Sequence, residues 1–136
     1  MKWCYIIKTK RKTEVKEMLC SCDVCGDSET LFNNLQQLGK ILRYDEHINK
    51  VIDYLNVLGN IERLIIINVL KEKDRCVCEL EAILDKSQPS ISHHLRELEK
   101  LNLIQGLKKG KFTYYSLNKD VLITKINRII NQFNFT

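Results

Sequence analysis

The stretch from Cys76 to Leu117 constrains the fold of this chain more than any other. Val77, Leu80 and Leu84 fall on one face of a short helix spanning Cys76 to Leu84. Asp85-Lys86 then makes a tight turn. Ser87 opens a new helix as a cap, and Pro89 sits in its first turn, where a missing N–H costs nothing. Ile91, Leu95 and Leu98 point inward from that helix, which ends near Asn102. Two apolar and aromatic strands follow, Leu103 to Leu107 and Phe112 to Leu117. Between them lies Lys108-Lys109-Gly110-Lys111, where Gly110 can take the positive φ that a tight hairpin needs. A short helix, a tight turn, a longer helix and a hairpin make a helix-turn-helix followed by a wing.

The flanking sequence is helical. Leu31, Leu35, Leu38 and Leu42 recur at helical spacing after Ser28, a candidate cap. Ile48, Val51, Ile52, Leu55 and Leu58 form a second stripe that ends near Gly59. Ile61, Leu64, Ile65 and Leu70, with Ile66 and Ile67, mark a central helix apolar on most sides. The last helix runs from about Lys119 to Phe133, with Leu122, Ile126, Ile129, Ile130 and Phe133 on one face. Residues 1–12 read as a strand or a loose arm, and 20–25 as a loop or ligand knot. The expected fold is mostly α with a small β-hairpin, a winged helix-turn-helix, dimeric. Residues 1–43 form an N-terminal cysteine-containing arm and extra helix, and 44–136 the DNA-binding and dimerisation domain. The stripes at 31–42, 48–58 and 122–133 are mostly core; a domain this small has more apolar helix faces than one core uses, so part of them forms the dimer interface.

Charge is segregated along the chain. Residues 1–16 carry +5, residues 17–85 carry −6, and residues 86–119 carry +5 again. The last block coincides with the helix-turn-helix and wing, so it is read as a footprint for a polyanion. The second helix turns Gln88, Ser90, Ser92, His93 and Arg96 outward, where they can hydrogen-bond base edges or phosphates of double-stranded DNA. Lys108, Lys109 and Lys111 at the wing tip suit phosphate or minor-groove contact. Of the adjacent His93 and His94, one faces DNA and the other packs.

Other classes fit poorly. No apolar run approaches the ~18 residues of a membrane span. The basic N-terminus lacks the apolar core and small-residue cleavage site of a signal peptide, so a reducing cytoplasm is expected, with metal or redox roles for the six cysteines ahead of a disulfide scaffold. There is no glycine-rich phosphate loop and no nucleophile elbow. Cys22-Asp23-Val24-Cys25 has oxidoreductase spacing, but no αβ pattern follows, so an enzyme is not expected.

Three segments together resemble the ArsR/SmtB family of metal-sensing winged-helix repressors. They are Arg75-Cys76-Val77-Cys78-Glu79-Leu80, Ser87-Gln88-Pro89-Ser90-Ile91-Ser92-His93-His94-Leu95 and Gly110-Lys111-Phe112-Thr113-Tyr114-Tyr115-Ser116-Leu117. Gly59-Asn60-Ile61-Glu62-Arg63-Leu64 is similar to the family's Asp-Pro-Thr-Arg segment without its Pro. The resemblance covers about residues 45–120. It implies a homodimer on an inverted-repeat operator, released by an inducer. It also implies that Cys76 and Cys78 match the family's thiolate pair, suited to Zn(II), Cd(II), Pb(II) or As(III). Residues two apart on a helix point about 200° apart, so both reach one ion only if Cys76 lies at or before the first turn. Glu81 stands where arsenic sensors carry a third Cys. The family's cadmium/lead sensors add N-terminal cysteines, so the expected site joins Cys76 and Cys78 to two of Cys20, Cys22 and Cys25. The alternatives are a regulator responding to thiol oxidation, and a constitutive DNA binder with a self-contained zinc knot.

Overall fold

A computed structural model describes residues 2–21 and 27–135, with side chains from Lys8 onward. The order is α1 (Lys2–Cys20), α2 (Ser28–Arg43), α3 (Glu46–Leu58), α4 (Ile61–Glu72), β1 (Arg75–Cys76), α5 (Val77–Leu84), α6 (Gln88–Lys100), β2 (Ile104–Lys109), β3 (Phe112–Leu117) and α7 (Lys119–Gln132). The chain divides into two compact units, residues 1–45 and 46–136.

In the first unit α1 and α2 form a helical hairpin. The N-terminal segment is thus a helix rather than a strand or loose arm. Its Lys, Arg and Glu residues are good helix formers, and no Gly or Pro interrupts residues 2–20. The Lys16 Nζ joins the hairpin by an ion pair with Glu29 at 2.6 Å and by lying 5.0 Å from the Phe32 ring centroid. Asp27, not Ser28, caps α2: its carboxylate accepts the Glu29 N–H at 3.1 Å and the Thr30 hydroxyl. Those bonds hold the Asp27 carboxyl below its ordinary range, the Thr30 contact contributing most. No residue of α2 is buried, so the stripe at 31–42 is not core within one chain.

In the second unit Ile66, Leu80, Ile91, Leu95, Leu98 and Leu103 are fully buried. They come from α4, α5, α6 and the start of the wing, and each contributes about 1.5–3 kcal/mol by leaving water. Asn60 caps α4 by accepting the Arg63 N–H at 3.1 Å. Arg63 in turn donates to the Val57 and Asn56 carbonyls at 2.5 and 3.0 Å, which fastens α4 to the end of α3. Arg128 of α7 meets the Tyr54 hydroxyl of α3 at 3.2 Å. The sheet is antiparallel with order β1-β3-β2. The expected hairpin therefore gains a third short strand, with Arg75 opposite Tyr115 and Cys76 opposite Tyr114.

Candidate nucleic-acid interface and thiol site

The turn between α5 and α6 is set by Asp85, which adopts φ 51° and so reverses the chain within a few residues. Ser87 occupies the cap position of α6 without a side-chain cap bond, and Pro89 lies in the first turn. Ile91, Leu95 and Leu98 anchor α6 in the core. The opposite face leaves Gln88, His93 and Arg96 exposed, with Ser90 and Ser92 half-buried. His94 turns the other way: its Nδ1 is buried without a hydrogen-bond partner, and burial, aided by Arg63, pushes its pKa down. Of the two adjacent histidines, His93 is exposed and His94 half-buried.

In the wing, Lys109 pairs with Phe112, leaving a two-residue loop of Gly110 and Lys111. Gly110 takes φ 64° at the first loop position, where a side chain would be strained. Cross-strand partners share a face, so Lys109, Phe112 and Tyr114 lie on one side of the hairpin and Lys108, Thr113 and Tyr115 on the other. Tyr115 packs on the core. The Lys109 Nζ sits 5.3 Å from the Tyr114 ring and the Lys111 Nζ 5.6 Å from the Phe112 ring. All three wing lysines are exposed.

Cys76 is the N-cap of α5, with extended backbone at φ −81° and ψ 164°. That conformation removes the 200° problem, because Cys76 precedes the helix. Its Sγ lies 2.7 Å from the Cys78 Sγ. The Cys76 N–H donates to the Glu79 carboxylate at 2.9 Å, and Arg75 bridges Glu79 at 3.5 Å and Glu72 at 3.1 Å. The backbone N–H of Cys76 holds the Glu79 carboxyl below its ordinary value. The hydrogen bond with Cys76, and then burial, push the Cys78 thiol up. Cys76 is buried and Cys78 is exposed. Cys78 opens on a cleft of about 390 Å³ that Glu81, Gln88 and Lys111 also line. The sequence assigns Glu79 no role, although it stands at capping-box spacing from Cys76.

The donor chemistry fits a soft ion. Tetrahedral bonds of about 2.3 Å hold two sulfurs about 3.8 Å apart, so this pair, 2.7 Å apart, shares one ion after opening by about 1 Å. Among the described residues no group of three His, Cys, Asp or Glu side chains could hold an ion. Cys20 is exposed at the end of α1, in the first unit, and Cys22 and Cys25 lie outside the described residues. Among the described residues no helix is long and apolar enough to cross a membrane.

Residues 62–105 match the model of the bacterial regulatory protein, arsR family. The transcriptional repressor SdpR of Bacillus subtilis is 41% identical over 69 residues, which is 51% of this chain and 77% of SdpR. The cadmium resistance transcriptional regulatory protein CadC of Listeria innocua is 32% identical over 79 residues, 57% of this chain and 66% of CadC. A crystal structure titled "Possible transcriptional regulator for arsenical resistance" superposes with a TM-score of 0.55 at 30% identity, over 60% of this chain and 83% of that one. The winged helix with its exposed basic hairpin and the shared sequence over its reading elements place the chain in the ArsR family of DNA-binding transcriptional regulators.

Proposed function

We propose that this chain is a homodimeric repressor that leaves an inverted-repeat operator when Cys76 and Cys78, with two of Cys20, Cys22 and Cys25, hold a thiophilic metal ion. The carrying observation is the pair of sulfurs 2.7 Å apart at the start of α5, the exposed one facing the cleft lined by Gln88 and Lys111. The name of CadC, a cadmium resistance regulator, supports the reading. Zn(II), Cd(II) and Pb(II) suit the site better than As(III), since Glu81 replaces a third thiol there.

Gln88, Ser90, Ser92, His93 and Arg96 read the major groove from α6, and Lys108, Lys109 and Lys111 hold the backbone from the wing. Cys76 joins β1 to α5, and Cys78 faces the first residue of α6 and the wing tip across one cleft. An ion held by Cys76 and Cys78 would supply a thiolate anchor at the start of α5, beside both DNA-contacting elements. The exposed apolar side chains Ile52 and Leu55 of α3 and Ile123, Ile126 and Ile130 of α7 supply a dimer face. The protein works in the cytoplasm, where thiols stay reduced.

Binding to operator DNA, measured with and without Cd(II), tests the reading. Weakened binding on metal addition is expected, and affinity independent of every thiophilic ion tried would leave a constitutive binder. The closeness of the sulfurs also favours a second reading. A peroxide would take two electrons and two protons from Cys76 and Cys78 and join them as a disulfide, with release that a dithiol reverses.

A further inference from the structure

The face of α2 lies outside the segment shared with the family model, and nothing in the thiol or DNA sites uses it. Leu31, Leu35, Leu38 and Leu42 repeat with spacings of four, three and four, the d-a-d-a seam of a coiled coil. Lys16 and Phe32 tie the N-terminal turn of α2 to α1. Beyond it, Leu35, Leu38, Ile41 and Leu42 are 46%, 51%, 59% and 46% exposed. These four half-exposed aliphatic side chains lie together on one helix and leave it an apolar face.

The pattern also identifies the occupant. A seam of this period accepts a second helix at a shallow crossing angle, with an apolar seam of its own. Its flanking positions hold Phe32, Asn34, Gly39 and Ile41, none of them charged, so a like helix meets no repulsion there. Gly39 has open space around it, which allows close approach. The ends carry opposite charge: Asp27 and Glu29 at the start, Glu29 already paired with Lys16 so that Asp27 carries the acid end, and Lys40 and Arg43 in the last turn. Parallel copies would set like charges and like dipole ends together, whereas antiparallel copies set acid against base at both ends.

We infer that α2 pairs antiparallel with α2 of a second copy, Leu31 facing the partner's Leu42 and Leu35 facing the partner's Leu38. This surface is distinct from the α3 and α7 face proposed above, and the test separates the two. The 136-residue chain would carry a photo-crosslinking amino acid in place of Leu42, with the joined peptides mapped by mass spectrometry. The expected product joins position 42 to the segment around Leu31 of the other chain. In parallel, sedimentation equilibrium would compare the native chain, Leu35→Glu/Leu38→Glu, the milder Leu35→Ala/Leu38→Ala, and Ile126→Glu/Ile130→Glu. The glutamate pair in α2 should weaken self-association at least ten-fold with helicity retained, and the alanine pair should weaken it less. Joining of position 42 to position 42, or the absence of any intermolecular product from residues 28–43, overturns the inference. So does self-association unchanged in both α2 variants but lost in the α7 variant, a result that would leave the α3 and α7 face standing.

Discussion

If the wing grips the phosphate backbone, its lysines must appear in the salt dependence of DNA binding. Lys109 lies on the outer face of the hairpin and Lys111 in its loop, with their ammonium groups 5.3 and 5.6 Å from aromatic rings of the same face. Lys108 points to the other face, so Lys109 and Lys111 form one contact group. Each phosphate neutralised contributes about 0.9 to the slope of log K against log salt. Lys109→Ala/Lys111→Ala should therefore make the slope shallower by about 1.8 per wing, and about 3.6 for a dimer. Between 50 and 200 mM salt that difference amounts to roughly 150-fold in relative affinity. Fluorescence anisotropy with a duplex of arbitrary sequence suffices, because backbone contacts carry no sequence information. Lys125→Ala is the control, since that ammonium lies 4.5 Å from the Tyr54 ring, away from the wing. A slope identical to the native one in the wing variant would refute the reasoning, whatever the change in affinity at a single salt concentration.

Other consequences can be checked by unfolding. Asn60→Ala removes the cap of α4 and should cost about 1 kcal/mol in chemical denaturation, with DNA binding per folded molecule retained. Leu98→Ala, at a site with no exposure, should cost about 2–5 kcal/mol; a loss under 1 kcal/mol would argue against that core. His94 titrates below its ordinary 6.5 in the folded protein because of burial and then Arg63, so the unfolded chain takes up its proton first as pH falls. Its contribution is intact above about pH 6.5 and is lost progressively below it. Thermal unfolding of His94→Gln should lose less stability than the native protein over that window, and parallel curves would remove His94 as a cause.

The helix-turn-helix and wing were legible because their signals are local: Pro89 in a first turn, apolar spacing through Leu98, and a glycine in a lysine-rich hairpin. The strand Arg75–Cys76 was not, since its existence depends on pairing with Tyr114 and Tyr115 far along the chain. The helix at Lys2–Cys20 escaped because its apolar residues are not periodic, while its helix formers are weak evidence one by one. The stripe of α2 was visible, but periodicity reveals a face that must be covered without saying by what. The cysteine pair was recognisable from spacing. That both sulfurs converge depends on Cys76 standing outside the helix, a backbone fact that composition does not carry.

The central claim is that thiols at the start of α5 govern the hold of α6 and the wing on DNA. Its most direct test is one titration of Cd(II) into the operator complex, followed at once by thiolate-to-metal ultraviolet absorption and by anisotropy of labelled DNA, for the native protein and for Cys78→Ser. Absorption and release should rise together in the native protein, while Cys78→Ser should bind the operator normally and stay bound through the titration. Release of Cys78→Ser at the same metal concentration as the native protein would contradict the claim.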